Sequence, residues 1–174
     1  MRKTFKGTAH LSNLLPTGSV MAFQILSPIL TRQGQCPTHT SRLMTSVLLA
    51  TCSLTCFVLC FTDSFRDERG KVRYGVASAN GLWVMDGSVR LSSEEASKYK
   101  VRFMDFFHGF ASILVFAAVA MLDNNVVMCF DPNPSEDDKE LLMALPLGIG
   151  LLCSLLFVAF PSKRHGIGFP LSRN

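Results

Sequence analysis

After Arg42 the chain reads LMTSVLLATCSLTCFVLCF, Leu43 to Phe61, without one charged residue. About 20 predominantly apolar residues at helical rise cross the roughly 30 Å hydrocarbon core of a bilayer. The stretch therefore predicts a membrane-spanning helix over residues 42–62. A second clean run, LLMALPLGIGLLCSLLFVAF, predicts a span over 141–160. A third, FMDFFHGFASILVFAAVAML at 103–122, is interrupted only by Asp105 and His108 near its start. The first run, LSNLLPTGSVMAFQILSPIL at 11–30, contains Asn13, Pro16, Gly18, Gln24 and Pro28. Such residues are tolerated at membrane depth where neighbours shield the backbone. We expect this run to cross as well, with a kinked or partly re-entrant course as the alternative. Arg2, Lys3 and Lys6 before it resemble the start of a signal peptide, but no small-x-small cleavage site follows Leu30.

Composition supports this reading. The 174 residues are 48% hydrophobic and 17% charged, against about 25% charged in a soluble domain. The apolar residues are blocked into runs instead of recurring at helical or strand period. The net charge of +4 is spread along the chain, which argues against nucleic-acid binding.

Basic residues report orientation, because short loops rich in Lys and Arg stay cytosolic. With four spans, one side holds Arg2, Lys3 and Lys6, then Arg66, Arg69, Lys71, Arg73, Arg90, Lys98, Lys100 and Arg102, and finally Lys163, Arg164 and Arg173. The other side holds Arg32, Arg42 and Lys139. This division, fourteen against three, predicts cytosolic termini and a cytosolic central loop over 63–102. A three-span arrangement would place the basic N-terminus on the wrong side.

The central loop carries its own structural signals. Lys71 to Ala77 and Leu82 to Asp86 flank Ser78-Ala79-Asn80-Gly81, and Asn-Gly between short strand-like runs predicts a β-hairpin. Ser92 followed by Glu95 is a capping box, so a helix is expected to begin near Ser93 and continue through Tyr99 into the third span. The loop between spans three and four is acidic and turn-rich. Its Asn133-Pro134-Ser135 is disqualified as a glycosylation sequon by the proline. The predicted fold is thus an all-α, four-helix transmembrane bundle, one domain over 1–174, with a structured cytosolic loop containing a small β-hairpin.

The segments LSNLLPTGSVMAFQILSP, FTDSFRDERGKVRYG, NGLWVMDG, YKVRFMDFFHGFASILVF, DNNVVMCF and LPLGIGLLCSLLFVAFPSKRHGIGFP occur in this order. Together they resemble the plant DMP family, membrane proteins named for a domain of unknown function, over nearly the whole chain. The resemblance implies four spans, cytosolic termini, and residence in the endoplasmic reticulum, vacuolar or plasma membrane. It also implies a part in membrane remodelling, senescence, cell death or, in one branch, gamete fusion. No catalytic residue set comes with it.

Several residues invite closer reading. Asp105 and His108 are three apart and share a helix face, and ionisable residues at membrane depth are functional candidates. They serve either as an interhelical polar anchor or as proton or ion handlers, and no charged residue of another span is expected to face them. Cys52, Cys56 and Cys60 recur on one face of span two, where thiols act as small packing groups. Cys60 is a candidate for palmitoylation. Ala144, Gly148, Gly150 and Ser154 form a small-residue face that lets helices approach closely, with packing inside the chain preferred to packing against another copy. His165-Gly166-Ile167-Gly168 is expected to end the last helix.

Cys36 and Cys129 are the two cysteines in polar loops, both on the non-cytosolic side where disulfides persist, so they are expected to pair. The alternatives are two free thiols, or a metal held around Cys36-Pro37-Thr38-His39. Arg69, Lys71, Arg73 and Trp83 are the candidate lipid-facing residues of the central loop, with Tyr74, Val76 and Leu82 as further interfacial anchors.

These readings favour a noncatalytic multi-pass membrane protein that organises or remodels endomembranes, without a cofactor. Its partners would be membrane lipids and other membrane proteins in a homo- or hetero-oligomer. The alternative is a small oligomeric channel or transporter using Asp105 and His108. An enzyme is disfavoured, because His10, His39, His108 and His165 are scattered and form no ligand motif.

Overall fold

The computed structural model of the protein describes residues 17–85, 87 and 91–167. In chain order its elements are α1 (Thr17–Leu30), α2 (His39–Leu59), β1 (Thr62–Arg66), β2 (Val72–Ser78), β3 (Gly81–Val84), α3 (Ser93–Ser97), α4 (Phe103–Leu122), α5 (Asn124–Phe130) and α6 (Glu136–Ala159). α2, α5 and α6 start where a side-chain oxygen accepts from an otherwise unpaired first-turn N–H, whereas α4 starts at Arg102 without a side-chain cap of that kind. Thr38 accepts from the Ser41 N–H ahead of α2. Asp123 does the same for α5, and Ser135 with Asp138 forms a capping box on α6.

Three helices, α2, α4 and α6, are long and apolar enough to cross a membrane. α1 has 14 residues, about 21 Å at 1.5 Å per residue, short of the roughly 30 Å required. Residues 11–16 of the predicted first span lie outside the described residues.

The helices are packed with their small and polar side chains inward. Ser27, Thr31, Ser41, Thr45, Asp105, His108 and Ser112 are buried, whereas Leu43, Val47, Leu54, Leu114, Leu147, Leu151 and Val158 are exposed. Burying Ser and Thr while exposing Leu is costly in water and natural in lipid, where small residues allow helices to meet closely. The buried hydroxyls are satisfied locally: Thr31 donates to the Ser27 carbonyl and Thr45 to the Ser41 carbonyl.

The inner contact surface is formed by Phe23, Leu48, Cys52, Cys56, Phe116, Ala120 and Val126. Phe23 of α1 meets Phe116 of α4 edge-on, with ring centroids 5.3 Å apart. A Cβ at Gly109 would stand 2.8 Å from the Phe57 ring, so glycine there permits the close crossing of α2 and α4. The principal helix contacts run α1 to α2, α2 to α4 and α4 to α6. α6 stands at the edge of this row, burying only Pro146 and Cys153 among its described residues. Of the four-helix bundle expected from the sequence, three helices are long enough to cross, and α6 lies at the edge, packed mainly on α4.

The central loop contains a three-stranded antiparallel sheet in the order β1-β2-β3. The predicted hairpin is present: Ser78 pairs with Gly81 and Val76 with Trp83, and Ser78 Oγ donates to the Gly81 carbonyl at 2.8 Å. Sequence reading missed β1, which continues almost directly from α2 and pairs Thr62 with Val76 and Phe65 with Arg73.

Two expectations are corrected here. The helix begun at Ser92 ends at Ser97 and does not run into α4. The following backbone is diverted to other partners: Val101 N donates to the Ser78 carbonyl and Arg102 N to Asp105. The second concerns the C-terminal glycines. α6 ends at Ala159, with Phe160 as its cap, and Gly166 instead packs against Thr62 with no room for a Cβ. Gly168 lies outside the described residues.

Candidate functional site

The helix row has two dissimilar ends. At one, the turn after α1 meets α5. At the other, α2 runs into the sheet, α4 begins, and the segment after α6 returns to the sheet.

This second end is centred on Arg164. Its Nε donates to Asp105 Oδ1 at 2.6 Å and its Nη2 to Asp105 Oδ2 at 2.5 Å, a bidentate fork that fits the carboxylate geometry. Nη1 reaches Asp63 Oδ2 at 3.2 Å, and Nη2 also donates to the Lys100 carbonyl at 3.1 Å. The three side chains are only 9–10% exposed. The carboxylates are filled from elsewhere too: Asp63 Oδ1 accepts from the N–H groups of Ser64 and His165, and Asp105 Oδ2 from that of Arg102. Burial by itself would lower the Arg164 pKa, but Asp105 and Asp63 outweigh it and hold the guanidinium above its ordinary value. One side chain thereby joins β1, the start of α4 and the segment after α6. Ser64 Oγ donates to the His165 carbonyl at 2.5 Å, and Ile167 N donates to Thr62 Oγ1, so the segment is laid along β1.

Asp105 and His108 share a face but do not bond to each other. His108 Nε2 lies 2.7 Å from the Phe160 carbonyl, which can only accept, so the ring donates. It also packs on Phe157 at 5.0 Å. The charge that faces Asp105 comes not from another span but from Arg164, which lies four residues beyond the predicted fourth span. A usable signal existed: Asp63 follows the second apolar run, Asp105 lies at the start of the third and Arg164 follows the fourth, so runs that alternate in direction bring all three to one end.

At the opposite end Cys36 and Cys129 are joined in a disulfide, with Cα atoms 5.0 Å apart. The thiolate that metal binding at Cys36 would need is thus engaged. The turn is unusual in backbone, with positive φ at Arg32, Gln33, Gly34 and Cys36. Thr31, fully buried, accepts from the Gly34 N–H, and Ser27 Oγ donates to Asp123.

The remaining candidates are distributed as follows. Cys52 and Cys56 are buried in the helix core, and the partly exposed Cys60 thiol donates to the Cys56 carbonyl. Ala144 and Gly148 are exposed, while Gly150 and Ser154 are half-buried. A Cβ at Gly148 or Gly150 would meet nothing within 4 Å, which corrects the expectation that this face packs inside the chain. α6 uses the stripe through Pro146 and Cys153 instead, seven residues apart and so on one helical line.

Arg69 and Lys71 are exposed on a turn organised by Asp67, which accepts from both their N–H groups. The Lys71 N–H foremost, with Arg73, holds the Asp67 carboxyl below its ordinary value. Arg73 is itself tied to Asp67 at 3.1 Å. Trp83 is 67% exposed beside exposed Met85, Tyr74 and Val76 are half-buried, and Leu82 faces inward.

The inverted burial, the three long apolar helices and the small sheet at one end define a multi-pass membrane protein. The family model described as "Protein of unknown function (DUF679)" matches residues 6–169. The chain is 60% identical over 173 residues to Protein DMP7 of Arabidopsis thaliana, covering 99% of this chain and 86% of that protein. It is 53% identical over 170 residues to Protein DMP4 (98% and 79%) and 35% identical over 180 residues to Protein DMP8 (97% and 74%), both of Arabidopsis thaliana. The chain belongs to the plant DMP family. No solved structure matches it.

Proposed function

We propose that this protein is a noncatalytic organiser of endomembranes, crossing the bilayer four times, with its termini and sheet in the cytosol. The fourteen-to-three division of Lys and Arg supports that orientation. α1 supplies about 21 Å of the first crossing.

The observation that carries the reading is the coupling at Arg164. The sheet is pinned to the end of α2 through β1, to α4 through Asp105, and to α6 through the segment bearing Arg164. A plate held this way transmits a push from the surface to three helices. It presents Trp83 and Met85 beside Arg69 and Lys71, an apolar and cationic combination suited to an anionic leaflet. Action on membranes of the endoplasmic reticulum, vacuole or cell surface is the activity consistent with the resemblance, and senescence, cell death or gamete fusion are its natural settings.

The alternative of a channel has less support. Asp105 is balanced by Arg164 and His108 is engaged by Phe160, so neither stands ready to pass an ion. Replacing Arg69, Lys71 and Trp83 together, at matched expression and topology, should weaken membrane remodelling severalfold. Undiminished remodelling, or ion flux in liposomes carrying the purified protein, would overturn the proposal.

A further inference from the structure

Beside Arg164 lies a cleft of ≈ 450 Å³ between the start of α4 and the segment Pro161–His165, within the range of small-ligand sites. Its floor is Asp63, Asp105 and Arg164, and those charges are mutually satisfied. Its rim is different. Lys98, Arg102 and Lys163 line it, are exposed, and have no acidic partner among the described residues. The unmatched charge of the cleft is thus cationic, and a cationic ligand would find the two carboxylates already occupied.

The depth of the cleft narrows the ligand. α4 has 20 residues, about 30 Å at helical rise, the thickness of the hydrocarbon core. Phe103, 81% exposed, begins it, and Phe160, 50% exposed, follows the end of α6. Lys98 and Arg102 precede that boundary and Lys163 follows it, so the three cations stand at the level of lipid phosphates.

We propose that this cleft binds a phosphomonoester, supplied by the headgroup of a membrane lipid. A phosphomonoester carries about −1.5 to −2 charges and three acceptor oxygens, which the Lys and Arg donors lining one cleft can engage by charge-assisted bonds. The inference rests on α4 and α6 crossing the bilayer, as in the proposed function, and not on any remodelling activity.

The test uses the purified full chain in phosphatidylcholine nanodiscs containing phosphatidic acid or, in a parallel set, phosphatidylserine, with retained lipid read by native mass spectrometry. Phosphatidic acid should be retained severalfold over phosphatidylserine. Lys98→Gln with Lys163→Gln should reduce that retention by about tenfold. Arg42→Gln with Lys139→Gln removes the same charge at the opposite end, from exposed side chains, and should leave retention unchanged. Glycerol 3-phosphate added to the protein in detergent separates the sources: competition with phosphatidic acid means that the phosphate alone is recognised, and lack of competition means that the lipid is required. Both support the site. Equal loss in the two charge-removal pairs, or no preference for phosphatidic acid, would overturn it.

Discussion

The two ends of the helix row are fastened by different chemistry. At one, Cys36 and Cys129 form a covalent link between the turn after α1 and α5. At the other, Arg164 ties β1, α4 and the segment after α6 through ion pairs and hydrogen bonds. A disulfide persists in an oxidising compartment and an ion pair needs none, so the difference matches a protein whose ends face different compartments. It also separates two kinds of dependence. The disulfide restrains backbone in positive φ at three non-glycine residues, whereas Arg164 neutralises two buried carboxylates, Asp63 and Asp105.

The largest effect should come from breaking the ionic end. Arg164→Ala leaves Asp63 and Asp105 buried without their cation, which costs about 3–5 kcal/mol. Thermal unfolding in detergent should show this loss, and Arg164→Lys should recover only part of it, because lysine lacks the fork. Equal stability of Arg164→Ala and the native chain would mean that the plate is not fastened there.

Breaking the covalent end should cost somewhat less, about 2–4 kcal/mol for a typical disulfide. Cys36→Ser, Cys129→Ser and the double variant should lose the same amount, since any one removes the whole link. Thiol labelling of the native chain before and after reduction checks the pairing, and full labelling of both thiols without reductant would remove it from the comparison.

A smaller effect sharpens the contrast within the row between the ends. Gly109→Ala would place a methyl 2.8 Å from the Phe57 ring and should destabilise by about 1–3 kcal/mol through overpacking. Gly148→Ala meets nothing within 4 Å and should stay within about 0.5 kcal/mol of the native chain. Comparable losses at both positions would mean that α6 packs on its exposed face after all.

How legible each end was follows from how local its signals are. α2, α4 and α6 were readable because an unbroken apolar run has few soluble interpretations, and the hairpin because Ala79-Asn80-Gly81 punctuates two short strand-like runs. β1 was not readable: Thr62-Asp63-Ser64-Phe65-Arg66 becomes a strand through pairing with β2 and cover from His165 and Ile167, both remote in sequence. The capping box at Ser92 identified the start of α3 but carried no information about its end, which the Val101 bond to Ser78 decides. Asp105 was singled out from its depth alone. Its partner was overlooked because Arg164 lies outside the apolar run, although the same topology that oriented the chain put both at one end. Cys36 and Cys129 were easier to match, being the two cysteines in polar loops.

Glycosylation mapping measures directly which compartment each end faces. Sequons engineered one at a time after Gly34, near Ser135 and near Ala79 should divide cleanly in microsomes. Those at the disulfide end should be glycosylated and the one in the hairpin turn should not. Modification near Ala79, with the other two unmodified, would place the Arg164 plate on the lumenal side and contradict a cytosolic membrane-organising surface.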